Sequence, residues 1–164
     1  MPQCACMLMR RRTTFSPCRT YRYTLWRRWA EGTGYAMFVC LNPSTADETE
    51  DDPTLRRCMA YAKRWGFGAV CMTNLFAYRA TRPADMCLED EPIGPDNNRY
   101  LRAMAKRAGV VVAAWGNNGT YRGRDQQVRR LLHDLYYLRL TIKGQPAHPL
   151  YLPAELTPTR LPEA

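Results

Sequence analysis

The sequence of 164 residues predicts an α/β fold, a three-layer sandwich with a mostly parallel central sheet between helices. Short apolar runs alternate along the chain with segments whose apolar residues recur at helical spacing. Some runs, such as residues 35–41 (YAMFVCL), are apolar throughout, as expected of a strand buried on both faces. The length suits one domain. We place it at residues 15–155, between a flexible basic arm (1–14) and a Pro-rich tail (156–164).

The first two predicted strands, at residues 20–29 and 35–41, are joined by the turn EGTG, and we expect them to pair. Asp52 and Pro53 predict the start of the first helix, since Asp is a good N-cap and Pro is favoured at the first helical position. Gly66 predicts the end of that helix. The remaining strands are predicted at residues 69–76, 109–115 and 136–141. The remaining helices are predicted at residues 96–108 and 123–135, after a long loop over 77–95.

The charge is strongly basic, with 24 Lys and Arg against 15 Asp and Glu and a net charge of +9. Arginine predominates, and its planar guanidinium suits phosphate, so the balance favours a nucleic-acid partner. The alternative is that arginine is simply the basic residue this sequence uses. One acidic segment, ADETEDDPT, interrupts the pattern. Within it Asp47 is the best candidate to hold a water or a sugar hydroxyl, although the segment can equally be a solvated loop with Asp52 as the helix cap.

Several classes of protein are excluded by composition. No apolar run approaches the length of a membrane span, and the basic cluster after MPQCACMLM is the reverse of a secretory signal. Seven cysteines without a CxxC pair argue against a disulfide framework, a zinc site or an iron–sulfur cluster. We therefore expect a cytoplasmic, monomeric protein with no membrane association, no metal and no cofactor.

Polar residues follow the predicted strands, where ligands bind in open α/β sheets. Asn42 and Asn74 lie at the ends of two strands, Trp115-Gly116-Asn117 ends a third, and a His between prolines, His148, follows the last. We expect these positions to converge on one rim. The candidates for substrate binding are Pro43, Ser44, Asn74, Tyr78, Arg79, Trp115, Gly116, Asn117, Leu150 and Tyr151. The candidates for catalysis are Asn42, Asp47 and His148.

Each of these residues also has a purely structural interpretation. Asn42 before a proline can cap a turn. The amide of Asn74, inside an apolar run, must be paired, so it either bridges backbone groups or binds the polar edge of a ligand. Trp115 can pack in the core. His148 lies in a segment that its prolines keep from being helical, which favours a ligand-binding or catalytic role.

Six strings stand out along the chain: LNPSTAD, DDPTLRRC, NLFAYRATRP, EPIG, AAWGNNG and GQPAHPLYLP. Over roughly residues 15–153 they resemble a family of small bacterial and phage proteins known only as a domain of unknown function. The order of LNPS, the Asn of TNLF, the WG after an apolar strand and AHPLY also resembles the uracil-DNA glycosylase superfamily. Members of that superfamily carry G-[QIM]-[DN]-P, a strand-end Asn, LLWG and H-P-S-P, each at the carboxyl end of a strand.

The second resemblance implies a DNA glycosylase-like hydrolase that cleaves the N-glycosidic bond of a damaged or modified base. Asn42 would position the attacking water, Asn74 would bind the edge of a flipped base, and His148 would stabilise the departing base. Leu150 or Tyr151 would wedge into the base stack. For stacking, the candidates are Tyr78 and Trp115. The candidates for contact with the nucleic-acid backbone are Arg122, Arg124, Arg129 and Arg130.

The sequence departs from the superfamily pattern in three places. Leu41 stands where Gly is usual, Leu150-Tyr151 replaces Ser-Pro, and no Asp occupies the water-activating position. These departures point to a base other than plain uracil, or to a loss of activity. Two alternatives stay open: a non-catalytic nucleic-acid-binding module, and an enzyme acting on a free nucleotide or nucleoside, with the 47–52 loop holding a ribose or a metal. The expected partner is DNA, with RNA or a free nucleotide as alternatives. We expect the pocket to be lined by amide, imidazole and acid, with the arginines outside it.

Overall fold

Seven strands form one mixed sheet in the order β1-β2-β4-β3-β5-β6-β7 in the computed structural model, which describes residues 8–44 and 46–163. The strands are β1 (Arg10–Phe15), β2 (Arg22–Arg28), β3 (Tyr35–Cys40), β4 (Ala69–Asn74), β5 (Val110–Ala113), β6 (Leu135–Tyr137) and β7 (Thr159–Arg160). The helices are α1 (Pro53–Arg64), α2 (Pro83–Met86), α3 (Asn97–Arg107) and α4 (Arg124–Leu131), and a kinked 3-10 segment spans Asn117–Gly123. No helix within these described ranges is both long and apolar enough to cross a membrane.

The centre of the sheet is parallel and its edges are antiparallel. Strands β4, β3, β5 and β6 run in the same direction, whereas β1, β2 and β7 pair antiparallel outside them. Three of the six strand pairings in the described residues are therefore parallel. The mixed α/β class is confirmed. The prediction of a mostly parallel sheet holds only for the centre, because the strands that lack helical crossovers lie at the edges and pair antiparallel.

Helices cover both faces of the sheet. On β3, Phe38 and Cys40 pack into the apolar cluster that includes α1, while Met37 and Val39 pack into the cluster of α3 and α4. Side chains alternate across a strand, so an entirely apolar run such as β3 requires apolar neighbours on both sides. This arrangement produces the three layers that the apolar runs predicted.

The predicted pairing of the first two strands is wrong. β4 lies between β2 and β3 and pairs antiparallel with β2 and parallel with β3. Pattern alone could not distinguish the two arrangements, because a tight turn is compatible with a hairpin but does not require one. β2 instead continues the sheet outward to β1.

Both predicted terminal segments contain strands. β1 pairs with β2 along its length, so residues 10–14 of the predicted arm belong to a strand of the sheet; residues 1–7 lie outside the described residues. In the predicted tail, β7 pairs with β6 and Leu161 is buried. The last parallel strand, β6, ends at Tyr137, earlier than the predicted 136–141, and Leu140 makes only an isolated bridge to Pro146.

The start of α1 is as the sequence predicts. The Leu55 amide donates to Oδ1 of Asp52 at 2.7 Å, and Pro53 occupies the first turn. Lys63 and Arg64 lie in the last turn, where cations interact favourably with the helix dipole, and Gly66 follows with a φ of +89°. The cap fixes the Asp52 carboxylate at the carboxyl edge of the sheet.

Candidate functional site

A cavity of about 390 Å³ opens at the carboxyl ends of the central strands. Asn42 follows β3, Asn74 ends β4, and His148 comes from the loop after β6, and all three line this cavity. Four more residues predicted from strand ends also line it: Ser44, Trp115, Gly116 and Asn117. The parallel centre explains this convergence, since it brings the ends of β3, β4 and β5 to one edge.

Asn42 is anchored by its amide nitrogen. Nδ2 donates to the carbonyl of Ala80 at 2.7 Å and to that of Pro43 at 3.1 Å. The side chain therefore holds the 80–83 segment against the strand end, as in the structural interpretation. It also leaves Oδ1 as the acceptor that Asn42 can offer to a water or a ligand.

Asn74 is almost fully buried. In the amide orientation that satisfies its hydrogen bonds, Nδ2 donates to the carbonyls of Thr73 at 3.2 Å and Asn42 at 3.3 Å. The end of β4 is held from behind by Asn97, whose Nδ2 donates to the carbonyls of Asn74 and Leu75 at 2.9 and 3.0 Å. Asn74 thus bridges backbone groups, as in the structural interpretation, and it also lines the cavity.

His148 stands at the mouth of the cavity. The Leu150 amide donates to Nδ1 of His148 at 3.2 Å, which makes Nδ1 an acceptor and assigns the ring proton to Nε2. Partial burial lowers the pKa of His148 from its ordinary 6.5, although the nearby Asp52 carboxylate opposes the shift. At neutral pH the ring is uncharged and offers an Nε2–H donor.

The acid in the cavity is Asp52, and Asp47 is not among the lining residues. Asp47 folds back on its own loop, where Oδ1 accepts from the amides of Thr49 and Glu50 at 2.8 Å each, and these bonds lower its pKa. Asp52 accepts from Leu55 and, through Oδ2, from the Ser44 hydroxyl at 2.6 Å. The prediction of Asp47 as the site acid fails because an Asx turn uses its carboxylate.

Arg22 also lines the cavity, although the residues that follow the predicted strands did not include it. It begins β2, and because β2 runs antiparallel to β4, its first residue lies at the edge where the parallel strands end. The side chain is only 5% exposed, and Nη1 donates to the carbonyl of Ala46 at 2.6 Å. The expectation of a pocket without a cation is therefore wrong. Only the pairing of β2 could have revealed this position.

The wall formed by Trp115 depends on two glycines. Gly116, with a φ of +73°, donates its amide to the Pro146 carbonyl at 2.8 Å and so ties the end of β5 to the His148 loop. Gly119 lies against the indole so closely that a Cβ would come within 2.1 Å of Trp115. The indole Nε1 donates to Oε1 of Gln145 at 3.0 Å, so the polar atom of Trp115 is already paired and the ring forms one wall of the cavity. Leu41 also lines the cavity.

Five of the ten residues predicted to bind substrate do not line the cavity. Pro43 is buried, and Tyr78 and Arg79 pack in the neighbouring loop, where Arg79 lies over the Phe15 ring and donates to the Arg19 carbonyl. The other two, Leu150 and Tyr151, follow His148; Leu150 is half-buried, whereas Tyr151 is 92% exposed with a φ of +70°.

The four arginines predicted to contact a nucleic-acid backbone are dispersed. Arg124 is buried, its Nε donating to Leu75 and its Nη2 to Asn98, so it is not available to a phosphate. Arg122 binds the carbonyls of Glu89 and Asp90. Arg129 and Arg130 lie in the last turn of α4, which runs away from the cavity towards the start of β6. The basic helix was located correctly, but its direction carries these charges to the opposite edge of the sheet.

The donor set of the site suits a polar organic ligand. In the described part of the chain, no group of three or more His, Cys, Asp or Glu residues is placed to hold a metal. The cavity combines a neutral imidazole donor, four asparagine amides, one carboxylate and one guanidinium with apolar lining that includes Leu55 and Met72. Such a mixture can orient a planar polar ring and polarise its acceptor atoms.

No curated protein and no solved structure matches this chain. Residues 22–150 match the family described as "Protein of unknown function (DUF1643)", and they include every residue placed in the cavity above. The chain belongs to that family.

Proposed function

We propose that the protein is a DNA glycosylase-like hydrolase that cleaves the N-glycosidic bond of a damaged or modified base. The observation that carries the proposal is that Asn42, Asn74 and His148, from three separate strand ends, line one cavity. The volume, about 390 Å³, falls in the range of about 300–1,000 Å³ common for small-molecule sites.

The chemistry assigns a role to each group. The bond from C1′ to the base nitrogen breaks heterolytically, and its electron pair leaves with the base. A water bound by Oδ1 of Asn42 adds its oxygen to C1′, and the proton it loses passes through solvent to the base anion. The Nε2–H of His148 donates to an acceptor of the departing base, and Asn74 contacts the edge of that base.

Access of DNA to the cavity is supported by what surrounds the mouth. Exposed Tyr151 lies three residues beyond His148 and is the better of the two predicted wedges, since Leu150 is half-buried. Arg82 stands between the lining residues Thr81 and Pro83. The turn carrying Lys143 is held beside the cavity by the Thr141 hydroxyl, which donates to Asn117 at 2.6 Å. Arg82 and Lys143 are therefore candidates for phosphate contacts.

A free nucleotide is the second candidate substrate, favoured by the guanidinium of Arg22 inside the cavity. A phosphate that entered the cavity with its nucleoside would meet this cation. In that case the enzyme would act on a nucleotide without a flipped base, and duplex DNA would not be required.

The test is base release from duplexes that each carry one uracil or one modified base, followed by alkaline cleavage of the abasic sites. We expect strand breaks with the parent protein and with His133→Ala. We expect a loss of about 10²–10⁴-fold with His148→Ala. His133 is the matched control because it is the other histidine, exposed and remote from the cavity.

Absence of breaks across a broad panel of bases would argue against the hydrolase. Salt-sensitive binding that survives His148→Ala, without breaks, would instead identify a non-catalytic nucleic-acid-binding module. Stabilisation by nucleotides, without binding to any oligonucleotide, would favour the free-nucleotide enzyme.

A further inference from the structure

The guanidinium of Arg22 is buried in the cavity with few partners. Among the described residues its side chain makes one hydrogen bond, from Nη1 to the Ala46 carbonyl, and its Nε has no partner. No carboxylate of the described residues forms an ion pair with it. Burial of an unpaired cation opposes folding, so this side chain calls for a role other than stability.

Arg27, five residues along the same strand, shows how a structural arginine is satisfied here. Its side chain is fully buried and forms an ion pair with Asp51 at 2.9 Å. Its guanidinium also donates to the backbone carbonyls of Trp26, Asp47 and Glu50. The two arginines share strand and burial, and they differ in that only Arg27 has a carboxylate partner.

The one acid in the cavity does not replace that missing partner. Both oxygens of Asp52 are already engaged, by the Leu55 amide and the Ser44 hydroxyl. No hydrogen bond or ion pair joins Asp52 to Arg22 among the described residues, so Asp52 acts on Arg22 through space. Burial lowers the pKa of Arg22 to about 10, which leaves the guanidinium cationic at neutral pH.

We propose that Arg22 forms an anion subsite inside the cavity, where its guanidinium binds a substrate oxygen that carries negative charge. That the substrate is a nucleotide unit is taken from the proposed function, and the inference rests on it in this respect. The oxygen belongs either to a phosphate or to the base itself. A planar guanidinium with free N–H groups is the side chain best suited to such an oxygen.

The subsite complements His148. Arg22 lies in the cavity at the start of β2, and His148 stands at its mouth on the loop after β6. The neutral imidazole supplies a hydrogen bond without a charge, and the guanidinium supplies the charge. Arg22 thus stabilises negative charge on a bound nucleotide through its own charge, and His148 adds the stabilisation of a hydrogen bond.

The direct test follows the Nε–H signal of Arg22 in ¹H–¹⁵N spectra, assigned by its disappearance in Arg22→Lys. The probes are inorganic phosphate, deoxyuridine and deoxyuridine 5′-monophosphate. If the oxygen belongs to a phosphate, inorganic phosphate and the nucleotide shift the signal and the nucleoside does not. If it belongs to the base, nucleoside and nucleotide shift it equally and phosphate does not. No shift by any probe at millimolar concentration overturns the proposal.

A variant pair separates binding from stability. Arg22→Met should keep the melting temperature within about 4 °C of the parent, because replacing a buried charge by an apolar side chain of similar volume is often neutral. It should also weaken binding of the active probe by roughly 10–100-fold. Arg27→Met should lower the melting temperature by about 6–20 °C, since it leaves Asp51 without its partner. An equal fall in melting temperature for Arg22→Met and Arg27→Met, with probe affinity unchanged in Arg22→Lys and Arg22→Met, would show that Arg22 has only a structural role.

These outcomes are independent of base release. Arg22-dependent binding without abasic sites on any duplex would refute the hydrolase and leave the subsite standing. Base release that proceeds at the parent rate in Arg22→Met would refute the subsite and leave the hydrolase standing.

Discussion

Among the residues that line the cavity, His148 is the one whose ordinary pKa lies nearest to neutral pH. Its Nδ1 accepts the Leu150 amide, and burial lowers its pKa below 6.5, so both features favour the neutral ring. We expect base release to be constant from pH 7 to 8 and to fall on acidification below pH 6.5, where protonation of Nδ1 breaks that hydrogen bond. A pH–rate profile, with an NMR titration of the two histidine rings, measures the effect.

The stability of the fold should follow the same titration. A histidine with a lowered folded pKa is protonated more readily in the unfolded chain, so stability is full above pH 6.5 and declines as the pH falls towards the folded pKa. Melting temperatures across this range should show the decline in the parent and in His133→Ala, and less of it in His148→Ala. Titration of His148 above 6.5 would contradict the prediction and would mean that Asp52 outweighs burial.

At the scale of elements, Asp52 both caps the start of α1 and lines the cavity. Asp52→Ala removes the acceptor for the Leu55 amide and should lower the free energy of unfolding by about 0.5–2 kcal/mol, as for other N-cap losses. Asp52→Asn keeps an oxygen for the cap and should recover most of that loss. Because the Asp52 carboxylate raises the pKa of His148, both variants should lower that pKa further.

Chemical denaturation and the histidine titration measure these two effects separately. Ser44→Ala is the companion control, since it removes the hydroxyl bonded to Oδ2 but leaves the carboxylate and the cap. If Asp52→Asn left the titration of His148 unchanged, the carboxylate would not act on the imidazole, and the cavity would not behave as one electrostatic unit.

The pattern and pairing of the strands explain which parts of the site could be predicted from the sequence. Asn42 and Asn74 follow strands that are apolar throughout, and such strands lie at the centre of a parallel sheet, so their ends meet wherever the neighbours are placed. Arg22 precedes a strand whose direction depends on its pairing with β4, a contact between distant segments that no local pattern encodes. Asp47 and Asp52 both lie in one acidic segment, and only the folded loop decides which carboxylate turns inward.

For the whole molecule, the net charge of +9 does not produce a cavity lined by cations, since among its lining residues only Arg22 is a Lys or Arg. Several arginines serve the fold: Arg27 pairs with Asp51, Arg124 holds the end of β4, and Arg122 holds the loop at 89–90. A net positive charge favours association with polyanions in general, and under the proposed function the cations beside the mouth would set the register of a bound strand.

If the cations beside the mouth bind the backbone and the other cations do not, only substitutions at the mouth should change the salt dependence of nucleic-acid binding. If a nucleic-acid backbone crosses the mouth, Arg82→Ala and Lys143→Ala should each reduce the slope of log K against log salt by about 1, the value for one lost phosphate contact. Arg130→Ala, an exposed arginine at the far end of α4, should leave the slope unchanged. Fluorescence anisotropy of a labelled duplex between low and moderate salt measures all three. A slope reduced by Arg130→Ala and not by the other two would place the backbone along α4, as the sequence first suggested, and would move the nucleic acid away from Asn42, Asn74 and His148.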